Sequence, residues 1–368
     1  MSVLIIGKHQ DFHARCVAWA LKKKEIPSQI LDLTPLPSSG SFSYQPNHFS
    51  TPANPGIFFS TPASSRQALS IDEVKLVWSR RAVVSAKFYD YSTVHPEDEV
   101  NVKEEMAGFL PGAYHALEYM LTKNDAVWIN SYACLSKAKS KSLQLQKAYA
   151  AGFAVPDTLV GNDPQAVREF CIKHGGEIIV KSFFPKEWKT YLVSRILPTT
   201  VIRLHQLQND AAIQLCPAIY QNHIKKQYEL RVLVLGDDLI AVKLDSQVHA
   251  HSRTDWRMDN DHGLIQMTPY TLSAASTSRI HHFMKLMGLR FGSIDLIVDE
   301  HGQEIFLEIN EQGQFLFLEA QNPELPILSA VCQFFATAGG YKASGDWPCF
   351  KDYIASEDHQ ILRQELTE

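Results

Sequence analysis

The chain of 368 residues is 45% hydrophobic and 20% charged, a balance that suits a globular protein with two or three packed units rather than one core. Its formal net charge of -5 supplies no broad basic field, which sets nucleic acid aside as the main partner. Cys16, Cys134, Cys171, Cys216, Cys332 and Cys349 form no C-x-x-C or Cys/His cluster, arguing against a zinc site or a disulfide framework, and with no signal-like or membrane-length apolar run a cytoplasmic location without a membrane partner is expected.

The apolar run Val3-Leu4-Ile5-Ile6 ends at Gly7 and is followed by Phe12, Cys16, Val17, Trp19, Ala20 and Leu21 at near-helical spacing, then by Ile30-Leu31-Asp32-Leu33. This is the strand, helix, strand opening of a parallel α/β unit, and without a P-loop or G-x-G-x-x-G it reads as scaffold. Residues 35–65 are rich in Pro, Ser and Asn, which predicts loops with short edge strands. A strand over 74–78 runs into Ser79-Arg80-Arg81, a pair of guanidiniums suited either to an anionic group or to an exposed basic turn. A helix over 98–122, bent at Pro111, and a short strand at Trp128-Ile129-Asn130 complete the first domain.

Lys137, Lys139 and Lys141 alternate at the boundary, as in a solvated linker, and precede a helix over 143–151. A strand at 158–160, a capped helix through His174 and a strand over 177–181 follow. Lys181 ends that strand, either snorkelling or serving as a point charge for a phosphate. Residues 190–220 read as short strands and a helix leading to Gln221, Asn222 and Ile224. Residues 229–243 then form a hairpin with Gly236-Asp237 in its turn and with Glu229 and Arg231 on one face. The polar stretch 247–263 reads as a substrate-facing loop, because His249 and His251 lack a third ligand.

After a helix over 272–287, residues 291–310 alternate around His301-Gly302 as a second hairpin. A two-residue loop there sets Asp295 opposite Glu308, Ile294 opposite Ile309 and Leu296 opposite Leu307, with Asp295, Glu308 and Asn310 sharing one face. Two carboxylates and an amide, without His or Cys, suit Mg²⁺; the same pattern also suits a solvated hairpin with an acidic outer face. A helix over 327–337 and a charged tail or capping helix end the chain.

Lys141 before a Gln-Leu-containing helix, Lys181, the 221–224 segment, Glu229-x-Arg231, Asp295 and Glu308-x-Asn310 follow one another in an order that resembles the signature of the ATP-grasp ligases. Trp78-Ser79-Arg80-Arg81, Trp128-Ile129-Asn130, Asp255-Trp256-Arg257 and the 313–319 stretch are similar to patterns of the microviridin-type, graspetide-forming ligases of that superfamily. Glu311 stands where those ligases often carry proline, and Phe315 and Phe317 where tryptophan is common.

The resemblance implies an α/β and α+β architecture: an ATP-grasp fold with an N-terminal Rossmann-like, pre-ATP-grasp domain (1–135), a central ATP-grasp subdomain (136–224), a C-terminal ATP-grasp subdomain with the metal site (225–340) and a tail (341–368). It implies ATP and Mg²⁺, with the metal on Asp295, Glu308 and Asn310, the phosphates on Lys141 and Lys181, adenine along Gln221, Asn222 and Ile224, and ribose at Glu229. Arg231, Arg257 and Asp255 are the implied catalytic residues; on the residues themselves, selecting one carboxylate of a peptide needs fixed guanidinium groups, for which Arg253 and Arg257, with Trp256 as a flat apolar wall, are the candidates beside Arg80-Arg81. The implied activity turns Asp or Glu side chains of a ribosomally made precursor peptide, with a leader and an acidic core, into acyl phosphates and closes ester or amide macrocycles, in a homodimeric enzyme. The alternatives are a ligase joining a free amino acid to a small molecule or protein terminus, and a non-catalytic nucleotide-binding or peptide-binding protein.

Overall fold

The computed structural model describes residues 2–32, 41–44, 57–61, 64–68, 73–80, 91–92, 94–123, 125–183, 187–189, 194–196, 199–249, 252–257, 265–340 and 345–367. The chain forms two compact units, one of residues 1–136, 289–292 and 311–368, the other of residues 137–288 and 293–310.

The first unit is built on a four-stranded sheet in the order Ser28–Leu31, Ser2–Ile6, Val74–Ser79, Val127–Ile129. All three pairings are parallel. Val3, Leu4, Ile5 and Ile6 are buried, as an uninterrupted apolar run in an interior parallel strand requires. The helix Phe12–Lys23 starts at Asp11, whose side chain accepts from Ala14 N, and buries Ala14, Cys16, Val17, Ala20 and Leu21. At Gly7 the backbone passes so close to the Arg80 carbonyl that a Cβ would collide with it. The helix Glu99–Lys123 carries Pro111 inside it.

Residues 311–340, which pattern alone groups with the preceding hairpin, belong to this first unit. So do the described residues beyond 340, where helices Phe350–Ile354 and Glu357–Glu365 pack on Phe12–Lys23, which is the capping alternative and not the tail. Helices of 5 and 9 residues are too short to display a clear apolar period.

The second unit holds two sheets. One is four-stranded, in the order Thr200–Arg203, Glu177–Lys181, Ala218–Asn222, Thr158–Gly161, with every pairing antiparallel. Val167 and Cys171 of the helix Pro164–Lys173 pack on Ile178 and Tyr220 of this sheet. The other is five-stranded, in the order Met267–Tyr270, Asp238–Leu244, Lys226–Leu235, Phe291–Asp299, Glu304–Asn310. Its first hairpin closes with Leu235 opposite Asp238, leaving Gly236-Asp237 as the turn.

The last hairpin departs from the expected register in two places that cancel. Asp299 N donates to Gln303 O and Gly302 has φ +78°, so the loop is the three residues Glu300, His301 and Gly302, a turn closed by a left-handed glycine. Pairing near the turn is consequently offset by one, with Val298 opposite Glu304, Ile297 opposite Ile305 and Leu296 opposite Phe306 rather than Leu307. A bulge between Asp295 and Leu296 then restores the register, and Asp295 faces Glu308, Ile294 faces Ile309 and Ser293 faces Asn310.

Candidate active site

Alternation divides the Phe291–Asp299 and Glu304–Asn310 strands into two faces. Ile294, Leu296, Phe306 and Ile309 are buried on the apolar face, where the Phe306 ring meets Phe283 at 4.7 Å and Phe153 at 5.9 Å. Ser293, Asp295, Glu308 and Asn310 share the other face by the observed register.

The two opposed carboxylates are each matched by a cation. Arg231 Nη1, from the neighbouring strand, donates to Asp295 Oδ1 at 2.6 Å and Oδ2 at 2.7 Å. Lys141 Nζ donates to Glu308 Oε2 at 2.5 Å. Lys141 opens a helix capped by Ser140, and that helix is fixed by Gln144 one turn on. The buried Gln144 amide donates to Ile309 O at 3.1 Å and accepts from Ile309 N at 2.9 Å, mimicking a strand neighbour. Sequence reasoning noted the Gln-Leu helix without assigning this role. Replacing Gln144 by Leu should destabilise the chain by about 1 to 3 kcal/mol for each Ile309 group left buried and unpaired, read as a lower denaturation midpoint; an unchanged midpoint would show that the amide holds nothing.

Like charge and burial split the titration of the carboxylates. Burial raises the pKa of Asp295 above the ordinary carboxylate range and the Glu308 charge adds to it, against the pull of Arg231. Burial would raise Glu308 as well, but Lys141 first, then Lys181 and Arg257, bring it down to about 2. Lys181, at its strand end, is pushed below the usual lysine value by burial and by Arg257 and Lys226, while Glu308 and Asp255 oppose the shift. The charge of Glu308 thus acts on both Lys181 and Arg257.

Asp255 accepts from Thr199 N at 3.2 Å, from Arg257 N at 3.2 Å, and from Arg257 Nε at 2.8 Å and Nη2 at 2.6 Å. Burial would raise its pKa, yet the bonds and charge of Arg257 hold it below normal. The Arg257 guanidinium remains about half exposed, at 53% of its side chain, so it is oriented by Asp255 and still open to a ligand. Glu229 is buried beside Lys226 Nζ, 2.7 Å away, and burial raises its pKa against that partner. Lys226 is a residue that the sequence left unnamed; its only trace was a Lys three positions ahead of Glu229.

At the end of the Ala218–Asn222 strand, Gln221 donates to Thr158 Oγ1 at 3.1 Å, while Gln221 Oε1 and Asn222 Oδ1 are buried acceptors with no hydrogen-bond partner among the described residues. Consecutive strand residues take opposite faces, so one of these acceptors, such as the buried Gln221 Oε1, suits a donor-bearing ring edge such as the amino group of adenine. Ile224 is half-buried two residues further on. Lys141, Lys181, Lys226, Arg231 and Arg257 outnumber Glu229, Asp255, Asp295 and Glu308, so the set as a whole favours a polyanion. No group of three or more His, Cys, Asp or Glu side chains is placed to hold a metal among the described residues, which leaves Asp295, Glu308 and the Asn310 amide as the candidate oxygen donors.

Other expectations are corrected. Arg80 is fully buried, donates to Asp11 at 3.1 Å and to the Gln312 and Gly313 carbonyls, and lies over the Trp78 ring, so it locks the first unit and offers nothing to a substrate. Asn130 likewise spends its amide on Phe291 O, Glu311 O, Arg290 N and Phe291 N. Of the residues expected to select a carboxylate, Trp256 is largely buried, and the exposed Arg253 donates from Nε to Gln247 O at 3.3 Å. Arg81 and His251 lie outside the described residues.

No protein-family model matches the chain, and no curated protein matches its sequence. Solved structures do. The chain is similar to a RiPP-associated ATP-grasp ligase of Chryseobacterium gregarium, solved with ADP, a leader and a core peptide, at 23% identity over 91% of this chain and 96% of that one, with a TM-score of 0.76. It is similar to two macrocyclases of Microcystis aeruginosa. MdnC, bound with the precursor peptide MdnA, is 25% identical over 92% of this chain and 100% of that one, with a TM-score of 0.73. MdnB is 27% identical over 91% of this chain and 98% of that one, with a TM-score of 0.69. Fold and likeness together put the chain in the ATP-grasp ligase superfamily, resembling its microviridin-type, graspetide-forming branch.

Proposed function

We propose that the chain is an ATP-dependent ligase that activates Asp or Glu side chains of a ribosomally made precursor peptide and closes ester or amide rings, releasing ADP and phosphate. The observation that carries this reading is the opposed pair Asp295 and Glu308, each held by its own cation, Arg231 or Lys141, in a chain similar to two peptide macrocyclases. The N-terminal parallel sheet is read as the Rossmann-like domain that precedes the ATP-grasp portion.

Asp295, Glu308 and Asn310 would hold Mg²⁺, an ion that neutralises phosphate charge and bridges phosphate oxygens when bound. Lys141, which donates to Glu308, and Lys181, whose charge acts on Glu308, would each offset phosphate charge. Arg231 is ready to pass from Asp295 to the transferring phosphoryl group, stabilising the charge that grows on its oxygens. The backbone along Gln221, Asn222 and Ile224 would read the edge of the base, and Glu229 would accept from a ribose hydroxyl. Arg257, preset by Asp255, holds the peptide carboxylate at the phosphoryl group, so that its oxygen attacks phosphorus and the resulting acyl phosphate is taken by a Ser, Thr or Lys side chain of the same peptide.

With ATP, Mg²⁺ and an acidic precursor carrying its leader, the peptide should lose the mass of one water per ring, with ADP as product. Arg257→Ala should abolish the mass loss while leaving ATP affinity unchanged in calorimetry. A peptide that instead gains the mass of an added amino acid would establish the free-amino-acid ligase, and a chain that binds ATP without turnover would overturn both.

A further inference from the structure

The Ala218–Asn222 strand runs between Glu177–Lys181 and Thr158–Gly161, with Gln221 opposite Ile179 on one side and Thr158 on the other, and with Ile219 opposite Lys181. Opposed residues share a face and alternate residues return to it, so Thr158, Ile179, Lys181, Ile219 and Gln221 lie on one face of the sheet. The helix Pro164–Lys173 closes the other face, where Leu159, Ile178 and Tyr220 pack. Gln221 thus shares with Lys181 the face that this helix does not cover.

Gln221 is only 2% exposed, and its amide belongs to a short relay. Its Nε2 donates to Thr158 Oγ1 at 3.1 Å, and Thr158 Oγ1 donates to Pro156 O at 2.8 Å. A carbonyl can only accept, so the single hydroxyl proton of Thr158 is committed to Pro156 O and the hydroxyl oxygen can only accept from Gln221. Turning the amide over would set Oε1 against an oxygen with no proton left to give. The relay therefore fixes the end of the amide that faces away from Thr158 as Oε1, a buried acceptor with no hydrogen-bond partner among the described residues. An unpaired buried acceptor is costly, which points to a donor that arrives with a ligand.

We propose that Thr158 is a positioning residue that sets purine selectivity: by holding Gln221 Nε2 it presents Oε1 to the 6-amino group of adenine and opposes the carbonyl of a 6-oxo purine. This rests on the proposed nucleotide role of residues 221–224. The backbone there has the same donors and acceptors whichever way the amide is turned, whereas adenine carries a donor at the position where a 6-oxo purine carries an acceptor, so the side chain must be given one polarity.

The test is calorimetry of the full chain with Mg²⁺ and either ATP or inosine triphosphate, whose ring has a 6-oxo group and a proton on N1. The parent should bind ATP at least tenfold more tightly. Thr158→Val keeps the β-branched shape and removes the hydroxyl, freeing the amide to turn, so the preference for ATP should fall about tenfold, the scale of one hydrogen bond, with inosine triphosphate gaining affinity. A site that is merely loosened would lose both nucleotides together. Thr158→Ser should retain the parent preference. In a Gln221→Met background, adding Thr158→Val should leave the preference unchanged, because its effect runs through the amide. A parent that binds both nucleotides equally, an unaltered preference in Thr158→Val, or the same fall in both backgrounds would overturn the inference while leaving the nucleotide role standing. A parent that binds neither nucleotide would overturn that role and the inference with it.

Discussion

Asp295→Asn and Glu308→Gln should each fold and each lose ATP turnover by about 100-fold or more, the scale seen when a group stabilising transition-state charge is removed. Both substitutions keep side-chain shape and the backbone register, so any loss reflects charge. They differ in what they release. Asp295→Asn leaves Arg231, whose side chain is only 6% exposed, without its carboxylate, whereas Glu308→Gln leaves Lys141, at 29%, able to reach water. Asp295→Asn should therefore also lower the unfolding free energy, while Glu308→Gln leaves it close to the parent value. Turnover near the parent rate at low millimolar Mg²⁺ in either variant would remove these carboxylates from the site.

The second large effect is expected far from any substrate. Arg80→Ala should destabilise the first unit by about 3 to 5 kcal/mol, as breaking one side of a buried ion pair does. Asp11 would lose its guanidinium partner, and the Gln312 and Gly313 carbonyls would lose donors. Asp11 also caps the helix Phe12–Lys23, so the damage reaches that helix. Chemical denaturation measures it; a midpoint within error of the parent chain would show that the buried guanidinium is not holding these segments together.

Arg80 also shows where sequence reading stops. Two arginines at a strand end look like an anion site, because nothing local announces that Gln312, more than two hundred positions away, will take the guanidinium. Residues 311–340 were misgrouped for the same reason: their bonds to Arg80 and Asn130 are long-range and leave no periodicity. Features with a local cause were legible. The Ala274–Met287 helix lies between a Ser273 cap and a left-handed Gly288. The first hairpin turns at Gly236-Asp237 as its dipeptide demands. The pairing of Asp295 with Glu308 was reached through two errors that cancelled, since the extra loop residue and the bulge each shift the register by one. Alternation reports which face a residue takes but not how many residues a loop or bulge consumes. The roles of Gln144 and Lys226 escaped notice because a polar residue acquires its role only from the partner that folding brings to it.

The Gln144 amide has a consequence for how a substrate can approach. The Glu304–Asn310 strand is the outermost of its sheet, and an outermost strand ordinarily offers a row of open amides and carbonyls to any extended peptide. Here Ile309 gives both of its outward groups to Gln144, and Phe306 N donates to Ala154 O at 2.9 Å beside the Ala154 to Ile305 bridge. The border next to the acidic pair is thus already occupied by the molecule's own chain. An extended segment cannot add to that border by β-augmentation; on the proposed function a peptide would have to present its carboxylate side-on, over the plane of the sheet, and side-chain reach rather than backbone pairing would decide which Asp or Glu is taken.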